Sequence, residues 1–142
     1  MNVISFIIQA AENFCIHQIR VPYAVEQISS EMRTLIAYID IKNRNEDVFR
    51  IYLGCDDVLI QHITKIFLGE ELSDKELLKD MLLETTNMIV GSAKVISEEY
   101  PLSSFTISTP HLYNSNQLSL TTDKSYTFNL ENGEMIIAIK AL

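Results

Sequence analysis

The stretch DMLLETTNMIVGSAK, residues 80–94, holds the side chains best suited to chemistry. It reads as a helix and most of it is apolar or small, yet it carries Asp80, Glu84 and Asn87, followed by Gly91. Two carboxylates four residues apart cost a helix roughly 0.2–0.5 kcal/mol. An interior glycine costs about 1 kcal/mol relative to alanine. At about 100° per residue, Leu78, Leu82, Ile89, Ala93 and Ile96 gather on one side as a core stripe. Asp80, Glu84, Asn87, Gly91 and Glu98 form a narrow row opposite. Leu77, Met81, Met88 and Val95 fall beside the row as apolar shoulders, and Met81 and Met88 are expected to be an adaptable rim for a partner.

The simplest reading of such a row is the solvated face of an amphipathic helix. Three details oppose it. Lys and Arg are nearly absent from the face, so little balances the acids. Asn is a poor residue for a helix interior. Gly91, one turn beyond Asn87, removes a side chain where another surface could approach. Spacing i, i+3 brings Glu84 and Asn87 together. A carboxylate can pair with an ammonium, and a carboxamide both donates and accepts, so it can orient a water molecule. Neither is a strong nucleophile. The chain shows no phosphate-cradling glycine loop, no credible Ser/His/Asp arrangement and no metal-ligand cluster; His17, His62 and His111 are scattered. Catalysis here would be catalysis by positioning.

Around this helix, predicted here as residues 74–99 with Ser73 or Asp74 as cap, the order of elements is helix, strands, two helices, strands. Residues 2–19 have the spacing of an amphipathic helix, closed off by Pro22. Strand-like segments follow at 23–28, 33–43 and 48–54, the last two forming a hairpin across the polar turn NRNED. A helix over 55–68 begins with Asp56 and Asp57, acids placed where the helix dipole favours them. Beyond Pro101, strands are expected at 104–109, 117–122, 125–130 and 134–141, the last two joined by an Asn-Gly turn. The fold class is α+β, a sandwich of a mainly antiparallel sheet with long helices packed on it, in one domain covering 1–142.

The bulk properties narrow the function. The chain has 142 residues, 47% hydrophobic and 21% charged, a globular composition. A net charge of −8 disfavours nucleic acid as a partner. The two cysteines, Cys15 and Cys55, exclude a disulfide framework and are expected to be reduced and buried in a cytoplasmic protein. The N-terminus lacks the basic region of a signal peptide, and no apolar stretch is long enough to span a membrane.

At the polar row the sequence resembles a known family. Asp80, three residues, Glu84, two residues, Asn87, twenty-two residues and Pro110 is similar to the signature of the CheC/CheX/FliY phosphatases. With each residue type near 5% abundance, such a match arises by chance in about one chain in a thousand of this length. NMIVGSAK (87–94) resembles the Asn-x-Ile-x-Gly-x-Ala-Lys run of CheX, and IFLGEELSD (66–74) resembles the loop before the motif helix. The likeness covers roughly Glu46 to the C-terminus. The corresponding spacings in the first two predicted helices, Ser5-Gln9-Glu12 and Asp57-Gln61-Thr64, fail the pattern, which leaves one site as in CheX.

The resemblance implies a CheX-type phosphatase that hydrolyses the aspartyl phosphate of a phosphorylated CheY-type response regulator in bacterial chemotaxis. It implies that Glu84 pairs with the partner's lysine and that Asn87 places the attacking water. Asp80 would support the interface or the helix, and Pro110 a strand end near the site, with Met81, Met88 and Gly91 at the partner surface. The family needs no cofactor of its own, Mg²⁺ belonging to the partner receiver. A homodimer is implied, joined through sheet edges that the late strands would supply. The alternative is a non-catalytic module that binds a receiver domain or the flagellar switch.

Overall fold

The computed structural model describes residues 2–27, 35–69, 74–113 and 122–142. Helix α1 spans Val3–Asn13; the Asn2 side chain caps it, accepting from the Ser5 amide at 3.1 Å. The helix expected over 2–19 does not stay α-helical throughout. Phe14–Ile19 continue it as π-helix, and the chain then leaves at Arg20 in the left-handed region, φ 55°. So Arg20, before Pro22 is reached, ends the element.

The sheet consists of β1 (Tyr23–Glu26), β2 (Leu35–Asn43), β3 (Val48–Cys55), β4 (Phe105–Ile107), β5 (His111–Leu112), β6 (Lys124–Leu130) and β7 (Gly133–Ala141). Its order is β1-β6-β7-β3-β2-β4, with β5 also on β2, and every pairing is antiparallel. The polar turn after β2 is organised by the Asn43 side chain, which accepts from the amides of Asn45 and Asp47 at 3.0 and 2.9 Å. At the Asn-Gly turn, Gly133 takes φ 130°, a conformation in which a side chain is strained. The expected strand at 117–122 and the Ser73 cap lie outside the described residues, save for Thr122. The strand expected at 104–109 is shorter and is followed, past Pro110, by the short β5.

Strand periodicity puts alternate residues on opposite faces. Ile39, Ile41, Ile51, Leu53, Phe128, Met135 and Ile137 face the helices and are buried in the main core. On the other face Ile36, Tyr52, Ile136 and Ala138 form a second apolar cluster, with Tyr38 and Tyr113 packed against it. There the Arg50 guanidinium binds Asp40 through two bonds of 2.7 and 3.0 Å and lies 4.1 Å from the centre of the Tyr38 ring.

Helix α2 (Asp57–Leu68) starts at Asp56, whose carboxylate does not cap it. It accepts instead from the Glu134 amide at 2.9 Å and so ties the helix to the β6–β7 turn. Helix α3 (Lys75–Ser97) is capped by Asp74, which accepts from the Leu77 amide at 2.8 Å. It packs on α1 and α2 and across β2, β4 and β5. The late strands β6 and β7 are interior, covered by β1 and β3; among the described residues the sheet edges are β1 and β4 with β5. The expectation that late strands supply a free edge therefore fails for these two, because β1 returns to pair with β6.

Helix α1 is joined to the edge strand β1 by the Tyr23 hydroxyl, which donates to Glu12 at 2.6 Å. This bond to a carboxylate holds the Tyr23 phenol protonated and pushes its pKa up to about 12. The bond's contribution to stability is complete below the unfolded pKa of about 10 and is lost as pH rises towards 12. Tyr23→Phe is expected to be less stable at neutral pH and to lose less stability than wild type between those two values, measured by urea unfolding at a series of pH values.

Candidate functional site

The site is built by α3. Leu78, Met81, Leu82, Thr85, Thr86, Ile89, Val90, Ala93 and Ser97 are buried. This stripe is wider than the one predicted, because α3 lies in a trough between the sheet and two helices. Thr86 can be buried because its hydroxyl donates to the Leu82 carbonyl at 2.8 Å. With that stripe fixed, Asp80, Glu84 and Asn87 are exposed and Gly91 is half-buried.

The structure thus keeps the predicted row together on one face. Glu98, at its end, pairs with Lys94 at 2.7 Å. Lys79 pairs with Glu76 at 3.4 Å. Among the described residues, Asp80, Glu84 and Asn87 have no ion pair or side-chain hydrogen bond. Two carboxylates and a carboxamide are therefore held on a rigid helix with their bonding capacity unspent inside the chain. Such a ridge can enter another molecule's cleft and there accept from an ammonium or hold a water.

The other predicted positions differ. Met88 is half-buried beside Asn87. Met81 is not an exposed rim: it is only 5% exposed and belongs to the main core. The trough again explains this, since a residue one-quarter turn from the row already meets a packed neighbour. Pro110 is half-buried in the connection from β4 to β5, both of which α3 contacts, and is not on the row itself. Both cysteines are buried and neither is in a disulfide; burial and the nearby Glu12 push the Cys15 thiol up to about 12. Neither is suited to be a nucleophile at neutral pH. Among the described residues no cluster of three or more His, Cys, Asp and Glu side chains could hold a metal ion.

One feature beside the row has no sequence signal that sets it apart from an α-helix. The π-helical end of α1 and the outer shoulder of α3 enclose a groove of about 300 Å³, with Asn13, His17 and Gln18 on one wall and Met88 and Ser92 on the other. A π turn and an α turn share nearly the same hydrophobic spacing over six residues, so periodicity does not distinguish them.

The family model for the chemotaxis phosphatase CheX matches residues 35–130, which include the whole row. The chain belongs to the CheX family. The matched region starts earlier than the likeness read from Glu46 to the C-terminus, taking in β2, and ends at residue 130, before β7. Comparison with solved structures extends the fold to the N-terminus. The chemotaxis protein CheX of Vibrio vulnificus superposes with a TM-score of 0.80 at 18% identity, covering 99% of both chains. The CheX–CheY–BeF3–Mg²⁺ complex of Borrelia burgdorferi gives 0.71 at 19% identity, covering 98% of both chains. Thermotoga maritima FliY gives 0.60 at 14% identity, covering 96% of this chain and 84% of FliY. The comparison with curated protein sequences gives no match.

Gly91 tests the division between fold and site. A Cβ built on it meets no atom within 4 Å, so the fold does not need a glycine there. Gly91→Ala is expected to stabilise the protein by about 1 kcal/mol through helix propensity, read from denaturant unfolding. A destabilised variant would show that packing, not an approaching partner, accounts for this residue.

Proposed function

We propose that this CheX-family protein dephosphorylates the aspartyl phosphate of a CheY-type response regulator in chemotaxis. The observation that carries the reading is the pair Glu84 and Asn87, exposed on one face of α3 and without partners among the described residues. The Borrelia burgdorferi relative, crystallised with CheY, supports the choice of partner.

In this mechanism α3 enters the receiver's active site. The Glu84 carboxylate accepts from the receiver's lysine and anchors the helix. The Asn87 carboxamide holds a water in line with the phosphorus. The water oxygen bonds to phosphorus, the bond from phosphorus to the aspartyl oxygen breaks, and inorganic phosphate leaves with the receiver carboxylate restored. Mg²⁺ on the receiver offsets the negative charge, so this chain brings no cofactor of its own. Asp80 adds to the attraction for a basic group and supports the interface, while Pro110 keeps the sheet edge beneath the helix in shape. Residues 1–142 act as one domain in the cytoplasm, and as a homodimer.

An acyl phosphate is already labile, so a modest effect suffices. A hundredfold acceleration corresponds to about 2.7 kcal/mol, which positioning of one water can supply. Asn87→Ala is expected to lower the rate of receiver dephosphorylation about a hundredfold with little change in affinity, because the amide acts on the water. Glu84→Gln should instead weaken binding and reduce its sensitivity to salt. The measurement is loss of phosphoryl label from the receiver under single-turnover conditions. Wild type no faster than Asn87→Ala would refute catalysis and leave a module that only binds the receiver.

A further inference from the structure

We infer that the groove between the π-helical end of α1 and α3 is a second docking point for the receiver, and that Asn13, His17 and Gln18 determine which receiver is accepted. The inference rests on the phosphatase reading and adds to it a surface outside the polar row.

Three observations place the receiver there. The groove is continuous with the site: Met88 and Ser92, on its α3 wall, directly follow Asn87 and Gly91 in sequence. Any body large enough to surround Asn87 reaches across this shoulder. Gly91 is the second observation, because the space beside it is open and the ridge between site and groove is low. The third is electrostatic. The row presents two carboxylates, Asp80 and Glu84, whereas the polar groups lining the groove are amides, a hydroxyl and an imidazole. Contact here adds attraction without like-charge repulsion.

The lining also states what fits. Phe14 and Ile89 give the groove an apolar floor, and both are buried beneath it. Its volume accepts one large apolar side chain. Asn13 and Gln18 on the rim are exposed and can bond the backbone on either side of that side chain. The partner chemistry is thus an apolar side chain on a loop or helix end near the receiver's phosphorylated aspartate. The π-helix has a purpose in this arrangement: π turns are rare and cluster at functional sites, and this one sits on the groove wall.

The test uses full-length protein and CheY-type receivers of the source organism, loaded with Mg²⁺ and beryllofluoride for binding or phosphorylated for turnover. Ser92→Tyr fills the groove from α3 and Gln18→Ala trims its rim, and circular dichroism confirms folding of each. Ser92→Tyr is expected to raise both Kd and KM at least tenfold with kcat within twofold of wild type, whereas Asn87→Ala does the reverse. Gln18→Ala should change the preference among receivers at least threefold. Unchanged Kd, KM and preference in both variants, with Asn87→Ala still impaired, overturns the docking proposal and leaves the phosphatase reading standing. Absence of hydrolysis by wild type, with binding still abolished by Ser92→Tyr, has the opposite consequence.

Discussion

The packing of α3 against the sheet and against α1 is the constraint on which the site depends. Leu82 and Ala93 are fully buried. A helix advances about 100° per residue, so these anchors leave Glu84, Asn87 and Gly91 no direction but outward. Rotating α3 by one residue would bring Thr85 and Met88 to the surface and carry Glu84 towards the core, where an unpaired carboxylate costs several kcal/mol. The geometry of the exposed pair is therefore enforced by the buried side of the same helix. A site on a rigid helix is held more precisely than one on a loop, which suits the proposed task of positioning a water.

The neighbours of α3 extend this control. Its N-terminus is set by the Asp74 cap, and just past its C-terminal end the Tyr100 ring lies 5.6 Å from that of Phe6 of α1. Because α1, α2 and α3 share one face of the sheet, the other face is left to the Tyr38, Tyr52 and Tyr113 cluster and to the Arg50–Asp40 pair.

The sequence made α3, α2 and the strands β2, β3, β6 and β7 legible because each has strong periodicity and a clear terminator: Asp74, Gly69, the Asn43 turn and the Asn-Gly turn. The polar row was legible for the same reason, since a wheel places residues on a face whatever the tertiary structure. Three features were not. Met81 was misplaced because a wheel does not reveal how many neighbours surround a helix, and α3 is enclosed on more of its circumference than an ordinary surface helix. The π turn was invisible because its spacing imitates an α-helix. The interior position of β6 depends on β1, a four-residue strand with too little pattern to announce a long-range pairing.

The same helix explains why residues that weaken it can persist. The like-charged pair and the interior glycine together cost about 1.5 kcal/mol. Full burial of one leucine or isoleucine returns about 1.5–3 kcal/mol, and α3 buries Leu78, Leu82 and Ile89 among others. Its stability therefore comes from the inner stripe, and the outer row is released from any need to contribute. That release is what lets Glu84 and Asn87 remain without internal partners: a bond to a neighbouring lysine would stabilise the helix slightly and occupy the groups that the proposed partner would need free. The Lys94–Glu98 pair marks where the requirement ends, one turn past Gly91. From there on the same face is balanced in the ordinary way, and the unbalanced segment, Asp80 to Gly91, measures the length of helix that this reading assigns to the other protein.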